Sequence, residues 1–360
     1  MAENSDTTPR VLLCDENKGF GGAERHVITL ARELHQDSLL AGLAVRKKSW
    51  LAQNCGELPL YPVGYRNEVD MLSVYSLYRK LKTDGVNIIH CIGHRDLVAA
   101  ALARQLPGAP ACALLKAEHS YPDKNLSPLF RWAYGQATAI TSVSQDLEKE
   151  LREAIGPTDK VHLEVIANGV ELDAPLREKA PEGRLHIGVL SPLRPGKGHA
   201  DFLRAAARIT EHQNIRWSVA GDGEELASLK ALAEELNLEV DFLGHLENPN
   251  DYIAQLHLSV IPSHRETFSL VTLESMLAGC PIVAASSGGV EELCRERPGT
   301  VLYPVGDVEQ LTEELKRFID APEKLQESAL KAAPQTRENF SSGAMAHRYQ
   351  KLYRSLLDNL

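Results

Sequence analysis

Cysteine, long apolar runs, low-complexity tracts and excess positive charge are all scarce or missing in this 360-residue chain. Its 6 cysteines (Cys14, Cys55, Cys91, Cys112, Cys280, Cys294) stand far apart, with no C-x-x-C pair and no Cys/His zinc spacing. That excludes a disulfide scaffold and a structural zinc site, and predicts buried thiols in a reducing compartment. No apolar run approaches the roughly 20 residues that span a bilayer. The polar opening Met1–Arg10 lacks the apolar core of a signal peptide. A soluble, cytoplasmic protein is expected. Basic residues number 39 against 49 acidic ones, for a formal net charge of -10, which argues against nucleic acid as the main partner. The acid excess is uneven: the first 170 residues carry 19 basic and 20 acidic side chains, the remainder 20 and 29.

What is present is length and alternation. At roughly 150 residues per domain the chain predicts two domains, each able to bury a core. Short β-branched runs alternate with amphipathic stretches from end to end, the signature of βα units on a parallel sheet. Strands are expected at 11–14, 42–45, 86–91, 111–116, 139–143 and 161–166, and again at 185–190, 216–220, 240–243, 258–261, 282–285 and 300–303. The charged stretch 171–183, with Pro175 and Pro181, reads as a linker between an N-terminal domain (1–170) and a C-terminal domain (184–340). The tail 341–360 has helical spacing, with Tyr349, Leu352, Tyr353, Leu356 and Leu357 on one side, and is expected to pack on a domain, with the N-terminal one as the candidate. The fold class is α/β, two Rossmann-like domains whose sheets face a central cleft. Ligands in open α/β sheets sit beyond the carboxyl ends of strands, so the informative motifs are those just after each strand.

After the first strand comes Gly19-Phe20-Gly21-Gly22, opening a helix near Ala23. It is a plain tight turn or an anion cradle at a helix start. It lacks the dinucleotide fingerprint, and no ribose-binding acid ends the next strand. Leu193-Arg194-Pro195-Gly196-Lys197-Gly198 is not a Walker loop, yet its basic groups suit either solvent or a diphosphate. Between Pro262 and Pro281, Ser269 can cap a helix that starts at Leu270 and stops at Gly279. Glu274 shares an apolar face with Leu270 and Leu277, where a carboxylate costs on the order of several kcal/mol unless satisfied by an ion pair or a ligand. Glu266, eight residues earlier, lies in the preceding loop. Two acids flanking helix-start amides suit a nucleotide sugar, one acid for sugar hydroxyls and one for ribose. His119, in Lys116-Ala117-Glu118-His119-Ser120, follows the strand at 111–116. Gly221-Asp222-Gly223 and Asn168-Gly169 read as simple turns. Trp50, Tyr65-Arg66, Tyr75, Tyr78-Arg79-Lys80 and Arg131-Trp132 could be core aromatics beside solvated cations, or a patch that meets anionic lipid.

The ordered set of Gly21-Gly22-Ala23-Glu24, Asn168-Gly169-Val170, Lys197-Gly198, Gly221-Asp222-Gly223 and the E-x7-E pair Glu266/Glu274 resembles the GT-B retaining glycosyltransferases of glycosyltransferase family 4. The resemblance covers nearly the whole chain and is strongest from Leu185 to Leu293. It implies that Glu274 binds the donor ribose, Glu266 holds the transferred sugar, and Lys197 neutralises the diphosphate with the amides around Ser269 and Leu270. It further implies that His119 lies beside sugar and acceptor, that Gly22 borders the diphosphate, and that the region of Leu246 meets the base. The family often has an Arg where this chain has Pro192, so Arg194 becomes the substitute for that charge. No metal and no cofactor are expected beyond the nucleotide-diphosphate sugar as substrate.

The resulting expectation is a metal-independent, retaining transferase. It would move a hexose or N-acetylhexosamine, with UDP as the expected carrier, to a glycan or lipid-linked acceptor of the cell envelope. A nucleotide-sugar epimerase and a non-catalytic nucleotide-sugar-binding subunit are the alternatives.

Overall fold

A computed structural model describes residues 8–123, 125–156, 161–172, 176–209 and 214–360. Met1–Thr7 of the polar opening and Pro175 of the expected linker lie outside these residues. The chain forms two compact units, Met1–Glu171 with Ser341–Leu360, and Leu172–Phe340.

In the first unit the elements run β1 (Val11–Asp15), α1 (Gly22–Gln36), β2 (Leu40–Arg46), α2 (Trp50–Asn54), β3 (Leu60–Val63), α3 (Met71–Asp84), β4 (Ile88–Cys91), α4 (His94–Gln105), β5 (Ala113–Glu118), α5 (Pro128–Gly135), β6 (Ala139–Ser142), α6 (Gln145–Ile155) and β7 (His162–Val165). They build a seven-stranded sheet in the order β3-β2-β1-β4-β5-β6-β7 with every pairing parallel. A parallel sheet is covered on both faces, which is why β1, β4, β5 and β6 are buried along their whole length. On one face lie Val27, Ile28, Ala31 and Leu34 of α1, and on the other Leu77 and Leu81 of α3 with Leu97 and Val98 of α4.

The second unit comprises β8 (Leu185–Leu190), α7 (His199–Ala207), β9 (Ile215–Ala220), α8 (Leu226–Glu235), β10 (Asp241–Gly244), α9 (Pro249–Gln255), β11 (Leu258–Ile261), α10 (Leu270–Leu277), β12 (Ile282–Ala285), α11 (Gly288–Cys294), β13 (Thr300–Tyr303), α12 (Val308–Asp320) and α13 (Pro322–Phe340). Its six strands, again parallel, are ordered β10-β9-β8-β11-β12-β13. Phe202, Trp217, Val260, Leu311, Leu315 and Phe318 anchor its core. The last helix, α14 (Ser342–Leu357), returns to the first unit, where Met345, Tyr349, Leu352, Tyr353 and Leu356 join the core under α1.

Each sheet grows in one direction and then reverses: between β1 and β4 in the first unit, between β8 and β11 in the second. The carboxyl ends at such reversals are where doubly wound sheets bind ligands.

Several expectations need correction. The strand β3 was not foreseen, because Pro62 and half-exposed neighbours obscure it; proline is tolerated there because β3 is an edge strand. The strand expected at 111–116 lies two residues later, ending at Glu118. Within the expected linker, Arg177 donates to the Leu256 carbonyl at 2.9 Å and to that of Ile253, which ties that residue to the second unit. Asn168-Gly169 is more than a turn: Gly169 N–H meets Met345 Sδ at 3.1 Å, and Ser342 N–H donates to Val170 O at 2.9 Å, tying α14 to the first unit. Tyr65 is no surface aromatic but fully buried. All six cysteines are buried free thiols. Among the described residues no helix is long and apolar enough to cross a membrane.

Candidate functional site

The reversal point of the second unit collects most of the expected donor residues. The loop 191–198 leaves β8, the loop 262–269 leaves its neighbour β11, and the two are stitched by His264 N–H donating to Gly196 O at 2.8 Å. This close approach explains Gly198. Its φ is +71°, and a Cβ there would stand 1.9 Å from the Pro262 carbonyl oxygen. The third loop, after β9, is not the simple turn expected of Gly221-Asp222-Gly223. Leu193 N–H donates to Asp222 O at 2.9 Å, and a Cβ on Gly221 would stand 2.0 Å from Ser191 O.

On this frame Lys197 Nζ donates to Glu266 Oε1, an ion pair whose two side chains are largely shielded from water. Glu266 is fixed by its backbone as well, its carbonyl accepting from Gly289 N–H at 2.9 Å. Ser269 caps α10: its Oγ accepts from Thr272 N–H at 3.3 Å, and its backbone takes φ +70°, a region L-residues rarely enter. The turn presents the half-exposed Leu270 and Val271 at the helix start, where backbone N–H groups and the positive dipole end favour an anion. Glu274 follows on the same helix and is buried. Lys197, Glu266, Ser269, Leu270 and Glu274 therefore belong to one corner of the second unit. Arg194 is in the same loop as Lys197 but its side chain is exposed. Leu246 lies beyond β10, at the sheet edge, half-buried against Ala220, Tyr252, Ile253, Leu256 and Cys280.

Gly22 and His119 belong to the first unit. Gly22 is the first residue of α1, after the extended N-cap Gly21. His119 follows β5, its ring 4.3 Å from that of His26, and its imidazole is held well below the usual range by burial, helped by His26 and Lys116. The first unit also has a polar network that sequence reasoning missed. Lys116 is buried in β5, donating at 2.6 Å to the Ile92 and Ala117 carbonyls and pairing with Glu118 at 3.1 Å. Burial alone would raise the Glu118 carboxyl, but Lys116, His94 and the Tyr134 hydroxyl hold it low. At the β1/β4 reversal Glu16 accepts from the N–H groups of His94 (3.1 Å) and Arg95 (2.9 Å) and from the Arg95 side chain. The only signal for this network in the sequence is a lysine inside the apolar run of β5. Among the described residues no group of three or more His, Cys, Asp or Glu could hold a metal ion.

Two doubly wound units of parallel strands, one with a basic–acidic pair at its reversal point, define the GT-B class of glycosyltransferase. The family models agree: the one for glycosyl transferases group 1 matches residues 175–336, and the one for glycosyltransferase family 4 matches residues 20–174. The chain belongs to the GT-B glycosyltransferases of family 4. The N-acetyl-alpha-D-glucosaminyl L-malate synthase of Bacillus anthracis is 24% identical over 246 residues, 65% of this chain, which spans 64% of that relative's length. The D-inositol 3-phosphate glycosyltransferase of Thermobispora bispora is 34% identical over 193 residues, 49% of this chain and 44% of that protein. The crystal structure of Anabaena Alr3699/HepE in complex with UDP has the same fold, with a TM-score of 0.81 at 20% identity over 96% of this chain and 100% of that one.

Proposed function

We propose that this protein moves a hexose or N-acetylhexosamine from a UDP-sugar to a glycan or lipid-linked acceptor of the cell envelope, with retention and without a metal. The observation that carries this reading is the Lys197–Glu266 pair beside the start of α10. A cation and helix-start amides suit a diphosphate, and an acid beside them suits the hydroxyls of the attached sugar. The UDP bound to Anabaena HepE supports the choice of nucleotide.

The chemistry follows from charge. As the bond from the anomeric carbon to the diphosphate oxygen breaks, positive charge builds on the sugar and negative charge on the leaving group. Lys197, with Arg194 as a second cation, and the amides of α10 stabilise the leaving diphosphate. The acceptor oxygen bonds to the anomeric carbon on the face the diphosphate leaves, and its proton passes to a diphosphate oxygen. Glu274 takes the ribose hydroxyls and Glu266 the sugar hydroxyls. When the donor arrives, its phosphates compete with Glu266 for Lys197, which frees the carboxylate for the sugar.

Calorimetry with UDP and UDP-glucose separates these roles. Lys197→Ala and Glu274→Ala should each weaken both ligands about 10-fold or more, the loss expected for a charge-assisted contact. Glu266→Gln should spare UDP and weaken UDP-glucose. Wild-type affinity in Glu274→Ala would remove the donor reading. An epimerase would isomerise the sugar when given donor alone, and a non-catalytic subunit would bind donor without turnover.

The same reading places the protein in the cytoplasm with peripheral access to a lipid-linked acceptor. The candidate contact is α3, whose Met71, Leu72 and Tyr75 are exposed beside Arg79 and Lys82. Co-sedimentation with anionic vesicles should then fall with salt and with Leu72→Ser. Salt-insensitive or absent binding would rule this contact out.

A further inference from the structure

His119 does not stand alone. From α1, the fully buried His26 packs its ring against that of His119, with centroids 4.3 Å apart and planes tilted by 54°. From the segment after β7, the Asn168 side-chain oxygen accepts from His26 Nδ1–H at 2.9 Å. That bond fixes the tautomer: with its proton on Nδ1, His26 carries a lone pair on Nε2, a nitrogen that is buried and has no hydrogen-bond partner among the described residues. Below it, His90 of β4 meets the Tyr353 hydroxyl at 2.8 Å, and Tyr349 lies 5.4 Å from the ring of His26 and 5.1 Å from that of His90. Lys116 of β5 also acts on His90 and His119, and Glu164 of β7 acts on Tyr349.

A phenylalanine would fill the site of His26 without leaving a buried nitrogen unmatched, so packing alone does not account for the imidazole. We propose that His26, oriented by Asn168, is a positioning residue for His119: it wedges the His119 ring in one orientation where it meets the transferred sugar. Burial holds His26 itself at about 4 and drives His90 well below its ordinary range, so the three rings are neutral together at physiological pH. A proton on any one of them would repel a proton on the next. The inference rests on the reading of His119 as a neighbour of the donor sugar.

The test uses the full chain with labelled histidines. By NMR, wild-type His119 should show one tautomer and no titration between pH 7.5 and 5. His26→Phe keeps the ring volume, so a merely structural role predicts an unchanged His119. The positioning role predicts that His119 samples both tautomers once the imidazole that wedges it is gone. Asn168→Ala, which frees the His26 tautomer, should act in the same direction and serves in place of His26→Phe if that variant fails to fold. In binding, the ratio of UDP-glucose to UDP affinity should fall in His26→Phe to the value found in His119→Ala, with affinity for UDP unchanged. Folded variants in which the tautomer of His119 matches wild type would overturn the proposal. If His119→Ala keeps the wild-type ratio, the reading of His119 beside the sugar fails instead, and the NMR result still decides the positioning role.

Discussion

Asp15 shows how single residues in the first unit are set against their own chemistry. It ends β1 fully buried, one oxygen accepting from Asn17 N–H at 2.8 Å. Burial, with Glu24 and Glu16 nearby, pushes its carboxyl up to about 7. The folded chain therefore holds a proton that the unfolded chain releases near pH 4. Stability falls as pH rises through that window, and the loss is complete above pH 7. Asp15→Asn should stabilise the protein, and by roughly 2–3 kcal/mol more at pH 8 than at pH 5. Urea melts at the two pH values would check this, and an equal gain at both would contradict the assignment. At this scale the sequence reveals residues better than partnerships. His119 is visible because it follows a strand, and Glu274 because a carboxylate on an apolar helical face is anomalous. The link from His26 to Asn168 spans 142 positions, and no local pattern announces it.

Among elements, legibility followed apolar, β-branched composition. The strands β8, β11 and β12 fall where those runs place them, since buried parallel strands are short and continuously apolar, and so does the half-buried edge strand β13. The helix α3 was not read from its pattern, because Met71, Leu72 and Tyr75 put apolar side chains on its exposed side and blur the period. What no periodicity can show is how loops from separate strands meet, and the corner that holds Lys197 and Glu266 depends on that. Gly198 is the sharpest case: an alanine there would take φ +71° and drive its methyl into the Pro262 carbonyl. Gly198→Ala should cost about 2–4 kcal/mol by thermal or denaturant unfolding. It should also weaken UDP-glucose binding, because the loop that moves carries Lys197. Unchanged stability would mean that the loops after β8 and β11 are not packed as described.

For the molecule as a whole, the acid excess of the second half makes sense only locally. A unit with a surplus of carboxylates still presents Lys197 and helix-start amides at its reversal point, so net charge does not speak against the phosphate site proposed there, even where it speaks against nucleic acid. Chain order misleads in a similar way about stability. The C-terminal helix α14 follows the second unit in sequence but completes the core of the first, with Tyr349 and Tyr353 fully buried and bonded to Thr141 at 3.2 Å and His90 at 2.8 Å. Truncating such a side chain removes a large aromatic and strands the His90 nitrogen that bonded to it. Tyr353→Ala should therefore destabilise by about 3–5 kcal/mol. The loss should be confined to one unit. Hydrogen exchange should speed up in β1, β4 and β5, more than 200 residues away in sequence from the substitution, while β8, β11 and β12 keep their protection. Uniform loss across both sheets would show instead that the two units unfold as one, and that α14 supports the whole chain rather than the unit it completes.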